Sequence, residues 1–277
     1  MLPVLYTTVA LTSSNQILAF SYSLQHSVDL EIGETLGSYV RYLWVGPISS
    51  ISEHDLSYAS SAWPVTIIHQ ILRRCPSLRA LAIVNLAQHL LYRLEGIIPA
   101  SVQSIHLGPV HGHLDLPKLR CEKQLQTITS MDTYLSDWEV HQIVTAPHVK
   151  CFRRFYSNPA RISFAFDQLP CVKEAKSLER LEILCCADTV EVATLALREH
   201  ASEYSGRADE RIWLVATSSC FSTRADGIRA LYHDWINELG KLVSESEEPI
   251  NIGDRSMMLE TVSAPLEKVR NLPLQDI

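Results

Sequence analysis

The chain is expected to fold as an α/β solenoid, a row of parallel strands with helices outside it, and two observations carry that expectation. The first is a recurring skeleton. Leu78, Leu81 and Ile83 return as Val102, Ile105 and Leu107, and the first two positions return as Leu125 and Ile128 and again as Val149 and Phe152. The starts at 78, 102, 125 and 149 differ by 24, 23 and 24, inside the roughly 20 to 29 residues of a leucine-rich repeat. Looser copies stand at Val40, Leu43 and Val45 and at Leu178, Leu181 and Ile183, and the wider gaps of 38 and 29 residues leave room for insertions. The second observation is what lies between copies: a loop, a helical stripe and a turn. Such a unit cannot bury both its strand face and its stripe alone, so neighbours must stack. The expected architecture is an irregular leucine-rich-repeat solenoid over residues 1–246, with a C-terminal capping helix, and a loosely attached tail over 247–277.

Taken in order, residues 2–11 are rich in Val, Tyr and Thr and favour a strand. Ser13 or Ser14 can cap a helix carrying Ile17, Leu18, Phe20 and Leu24. A turn at Gly37 leads into the first repeat strand, which Gly46 and Pro47 end. After a polar linker over 49–61, Pro64 suits a helical first turn, and Ile67, Ile68, Ile71 and Leu72 form one stripe that Cys75 and Pro76 stop. The helix over 86–94 should be short. Residues 109–120 are too rich in Gly, Pro and His for a good helix, whereas Ser136 caps a helix from Trp138 that Pro147 ends. At the repeat starting with Val149, Arg154 stands where a core leucine is expected, so either the register slips by one or the repeat is partly open. Asp188 and Glu191 resemble a capping box opening a helix to about Ala201. A strand over 212–216 and a long helix over 223–243 follow, the latter with Ile228, Leu231, Trp235, Ile236, Leu239 and Leu242 on one side. That helix is expected to close the open end of the stack.

The 277 residues are 47% hydrophobic, as in a globular protein, and the net charge of -7 argues against a general basic field for nucleic acid. Seven irregularly spaced cysteines without a hydrophobic leader over 1–19 imply reduced thiols and a cytoplasmic or nuclear location. No apolar run reaches the 18 or so residues of a membrane helix. Neither nucleic acid nor membrane is expected as a partner.

Side chains alternate along a strand, so aligning the repeats places Trp44, Ala82, His106, Thr129, Arg153 and Glu182 in one outward column and Tyr42, Ala80, Ser104, Thr127, Cys151 and Arg180 in the next. Exposed Trp, Tyr and Arg are typical of protein-binding hot spots. The candidate partner-binding face is therefore Tyr42, Trp44, His106, Thr129, Arg153, Arg180 and Glu182. Should another unit cover Trp44 and Tyr42, they would serve packing alone.

Candidate chemistry is sparse. His106, His111, His113 and Asp115 are the most metal-like group, but without a second ligand set at a known spacing they read better as ordinary loop residues. Cys185 and Cys186 should alternate, one into the core and one to the surface, and no Cys-x-x-Cys supports a redox role. Tyr232, His233 and Asp234 point in different directions on a helix and read as a solvated face. There is no Gly-x-Ser-x-Gly elbow, phosphate-binding glycine loop or dinucleotide fingerprint. No catalytic residue and no cofactor is assigned.

The segments Leu5-Tyr-Thr-Thr-Val-Ala-Leu11, Leu36-Gly-Ser-Tyr-Val-Arg-Tyr-Leu-Trp-Val45 and Ile71-Leu-Arg-Arg-Cys-Pro-Ser-Leu-Arg-Ala-Leu81 resemble the half that follows the F-box in fungal, mushroom-type F-box/leucine-rich-repeat proteins. The resemblance spans about 2–216. It implies substrate recruitment to a cullin-RING ubiquitin ligase through a Skp-type adaptor. Met1 falls where the F-box should have ended, so that adaptor is expected only if an F-box is missing from the gene model. The expected function is a non-enzymatic protein-interaction scaffold, with an F-box-related substrate receptor as its more specific form. The alternative is an accessory protein or enzyme acting on a small molecule in fungal metabolism.

Overall fold

A computed structural model describes residues 6–26, 35–50, 64–204, 209–218, 226–246 and 272–273. Its centre is one open sheet in which each strand lies beside its neighbours in sequence: β1 (Thr8–Leu11), β2 (Tyr42–Val45), β3 (Ala80–Val84), β4 (Ser104–Gly108), β5 (Thr127–Met131), β6 (Cys151–Tyr156), β7 (Arg180–Ala187), β8 (Ile212–Ser218) and β9 (Leu272–Pro273). The first eight are parallel, and β9 pairs antiparallel with β8. Parallel neighbours require crossovers. The crossovers carry the helices α1 (Ser14–His26), α2 (Val65–Arg74), α3 (Tyr92–Glu95), α4 (Asp137–Thr145), α5 (Ser163–Asp167) and α6 (Val190–Glu203), and α7 (Gly227–Ser246) follows β8. The rest of the expected tail, at 247–271 and 274–277, lies outside the described residues, as do 2–5 of the first expected strand and 51–61 of the polar linker.

The repeat skeleton aligns as the spacing implies. Leu43, Leu81, Ile105, Ile128, Phe152, Leu181 and Ile212 stand side by side across seven strands. Entry to the strands repeats too: the carbonyls of Arg41, Arg79, Gln103, Gln126 and Lys150 each accept two consecutive amides from the next unit, such as those of Arg79 and Ala80 on Arg41. These bonds satisfy backbone that would otherwise be buried unpaired where the chain turns into the sheet. Gly37 has no alternative, because a Cβ there would lie 1.8 Å from the Arg74 carbonyl oxygen. Gly46, at φ 132°, ends β2 in a conformation that side chains disfavour.

Local signals set several helix ends. Ser136 and Glu139 form a full capping box at α4. At α6 the cap is Thr189, whose hydroxyl accepts the Val192 amide at 3.3 Å, and the expected Asp188–Glu191 box does not form. The helices from α1 to α6 cover one face of the sheet, where they bury the strand leucines and isoleucines in a continuous core. Arg154 belongs to this face without any slip of register, between Ser130 and Ile183. It is 2% exposed, so the repeat is not open either. Its guanidinium donates to the Gln168 side chain, and that amide donates to the Leu135 carbonyl at 2.7 Å and to Asp137 at 2.9 Å. A polar residue thus replaces the leucine by bringing its own hydrogen-bonded partner.

The long helix is where the expected architecture changes. Instead of closing the end of the stack, α7 lies across the other face of the sheet and forms a second core with side chains of β2, β3, β5, β6 and β7. No described helix is long and apolar enough to cross a membrane.

Candidate interaction groove

The outward columns form as aligned, and both extend further: the first runs from Ala10 through Trp44, Ala82, His106, Thr129, Arg153 and Glu182 to Trp213. Their composition explains why a helix lies on them. Ala80, Ala82, Ser104, Thr127 and Thr129 are small residues at the middle of the sheet, between Tyr42 and Trp44 on one side and Arg153 and Phe155 on the other. They leave a trough. Ile228, Leu231, Trp235 and Leu239, spaced three or four apart on α7, fill it and are buried. Trp44 packs edge-on against Tyr232, with ring centroids 5.0 Å apart, and meets Trp235 at 5.4 Å, while its Nε1 donates to the Gly46 carbonyl at 2.9 Å.

The helix is fixed at both ends of the trough. Asp226 precedes α7 and accepts the Arg229 amide at 3.0 Å, the Ser50 amide and hydroxyl, and the Ser49 hydroxyl. Burial alone would raise this carboxyl's pKa, but the hydrogen bonds from Ser49, Arg229 and Ser50 outweigh it and hold the group below its ordinary range. Further along, Arg153 is clasped by three carboxylates: Nε donates to Glu182 at 2.7 Å, and Nη1 donates to Asp234 at 2.7 Å and to Glu238 at 2.6 Å. Burial disfavours its charge, yet Asp234, Glu238 and Glu182 together push its pKa well above the ordinary value, so it stays cationic. Beneath them His106 is 1% exposed and bonds to the Ser104 hydroxyl at 2.9 Å. Burial, helped by the Arg153 charge, drives its pKa down to about 3, and the imidazole is neutral.

Beside α7 the sheet is not fully covered. A groove of about 720 Å³ runs between the helix, at Asp234, Asn237 and Glu238, and the outward side chains of β6, β7 and β8, with Arg180 and Trp213 at its floor. Arg180 is half-exposed; its guanidinium lies 4.7 Å over the Trp213 ring and donates to Glu182 at 2.8 Å.

The candidate face read from sequence is thus divided in two. Arg153, Arg180 and Glu182 line the groove, whereas Tyr42, Trp44, His106 and Thr129 are buried under α7 and present no free surface. Trp44 and Tyr42 serve packing there. Trp213, Asp234, Asn237 and Glu238 were not singled out as groove residues. Trp213 continues the column that the register already defines, and Asp234 and Glu238 sit four apart on the helix that carries the apolar stripe, facing the sheet rather than solvent.

The metal-like residues are not brought together. His106 is under α7, His111 bonds to Ser130 at 2.7 Å, His113 to Glu139 at 2.9 Å, and Asp115 to Lys118 at 2.6 Å. Among the described residues no group of three or more His, Cys, Asp or Glu side chains is placed to hold a metal ion. Cys185 and Cys186 do alternate, but both are buried, Cys185 in the helix-side core and Cys186 under α7. Burial raises the Cys185 thiol to about 12. No family model matches this chain, and no curated protein matches it.

Proposed function

We propose that this chain is a non-enzymatic protein-binding scaffold of leucine-rich-repeat type, and that it contacts its partner through the groove beside α7. The observation that carries this reading is the exposed pairing of Arg180 with Trp213 on the groove floor. Arginine and tryptophan are among the side chains that contribute most at protein interfaces, and a concave setting lets a partner desolvate them together. The nearly constant interval between the copies starting at 78, 102, 125 and 149 and the strand order, which follows the sequence, support the repeat-type assignment. A substrate receptor related to F-box proteins would use the same groove for its substrate.

The test is capture of partners by the tagged full-length chain from its native extract, compared between variants. Wild type and Leu195→Ser, a change at a 59% exposed position on α6, retain the same partner, and Trp213→Ala loses it. Retention by Trp213→Ala of everything that wild type captures would refute the groove as the contact surface.

A further inference from the structure

We propose that the groove takes a basic segment of the partner protein, anchored by an arginine that displaces Arg180 from Trp213; this rests on the reading of the groove as the contact surface. Five carboxylates line it, Glu179, Glu182, Glu210, Asp234 and Glu238, against the four cations Lys150, Arg153, Arg180 and Arg211. Each cation is already engaged within the protein. Lys150 lies 3.0 Å from Glu179, Arg153 is held by three carboxylates, and Arg180 is held by Glu182. Arg211 pairs at 2.7 Å with Asp209, which is not part of the lining, and donates to the Ala175 and Val172 carbonyls. An incoming carboxylate would have to break one of these pairs. An incoming arginine also breaks one pair, Arg180 with Glu182, but replaces it in kind, and it meets a lining of five carboxylates against four cations, one of which Asp209 already neutralises.

Arg180 marks where that cation fits. An indole face at 4.7 Å with a carboxylate oxygen at 2.8 Å is a site suited to a planar guanidinium, which stacks and hydrogen-bonds at once. The side chain that fills it is 45% exposed. It can turn into solvent and yield its place. Glu182 is held firmly for either occupant, because Arg153 fixes its other oxygen at 2.7 Å.

The test titrates the full-length chain with tetra-arginine, tetra-lysine and tetra-glutamate peptides, by calorimetry and by the shift of the Trp213 indole resonance. Tetra-arginine binds and moves that resonance, tetra-lysine binds less tightly for want of a stacking plane, and tetra-glutamate does not bind. Arg180→Ala tightens tetra-arginine binding several-fold. Trp213→Ala and Glu210→Lys, at an exposed position, each weaken it by roughly tenfold. Arg180→Ala that weakens binding, Trp213→Ala that leaves it unchanged, or tetra-glutamate bound as tightly as tetra-arginine overturns the proposal. So does an absence of tetra-arginine binding to wild type. In that case the groove still stands as the contact surface if Trp213→Ala loses the captured partner, and both readings fall if it does not.

Discussion

The two faces of the sheet are built on different terms. The helix-side face is a largely aliphatic layer from β1 to β8, interrupted by Ser130 and Arg154, and gathered by helices of the crossovers between successive strands. The α7 side joins small residues, aromatics and a buried charge cluster, and its partner comes from far along the chain, as in the Arg153–Asp234 pair, 81 residues apart. The first face makes the scaffold and would do so with any similar repeats. The second makes a specific closure and leaves the groove beside α7. Buried ion pairs add little net stability over apolar packing but are costly to break, so they suit a contact that fixes position.

The comparison can be tested from its strongest contrast downward. Ile105 is fully buried at the middle of the helix-side layer, and Ile105→Ala should cost about 2–5 kcal/mol, read as a lowered urea midpoint of the whole chain. Arg153→Ala should cost about 3 kcal/mol, because it strands three carboxylates around a buried site, and no more than that because all three also line the groove where water can reach. Its signature should be a tryptophan emission change from Trp44 and Trp235, since the loss falls on the α7 side. A full-chain unfolding with no separate α7 signal would mean that the two layers are one cooperative unit.

Protonation is felt on both faces. Burial holds His106 on the α7 side at about 3 and His111, bonded to Ser130 on the helix side, at about 4, both down from 6.5. Between those values and 6.5 the unfolded chain binds protons that the native state refuses. Stability is therefore full above about pH 6.5 and falls with acidification by about 1 kcal/mol per pH unit for each histidine. Urea midpoints measured from pH 7 to 5 should show that slope, and His106→Gln and His111→Gln should each remove one share of it. The smallest effect belongs to Asp226→Ala, which removes the cap of α7 and its ties to Ser49 and Ser50 for about 1 kcal/mol. Faster hydrogen exchange confined to the first turns of α7 would be its mark.

How far the sequence could be read follows the same division. Strand order, the alignment of the columns and the boundaries at Ser136, Gly46 and Cys75 come from short-range rules, and the register of Leu81, Ile105 and Ile128 shows that a regular interval suffices. Arg154 did not fit the pattern because its acceptor, Gln168, lies in the following loop and no periodicity marks it. The placement of α7 was hidden for a related reason. An apolar stripe at Ile228, Leu231, Trp235 and Leu239 suits an end cap as well as a face cover. What decides between them is the run of Ala80, Ala82, Ser104 and Thr129, whose smallness acquires meaning only once the strands are side by side. Asp234 reads as a solvated helix residue in sequence because the cation it serves together with Glu238 is Arg153, on a distant strand.

The cover that α7 makes over the middle of the outward columns, with the groove open beside it, is tested most directly by NMR on the full-length chain with labelled tryptophan and tyrosine. The account requires nuclear Overhauser contacts from the Trp44 indole to the rings of Tyr232 and Trp235, whose centroids lie 5.0 and 5.4 Å away, together with protection of Trp44 from acrylamide quenching. Absence of those contacts with Trp44 open to the quencher would contradict it, and would return the whole column from Trp44 to Glu182 to the surface.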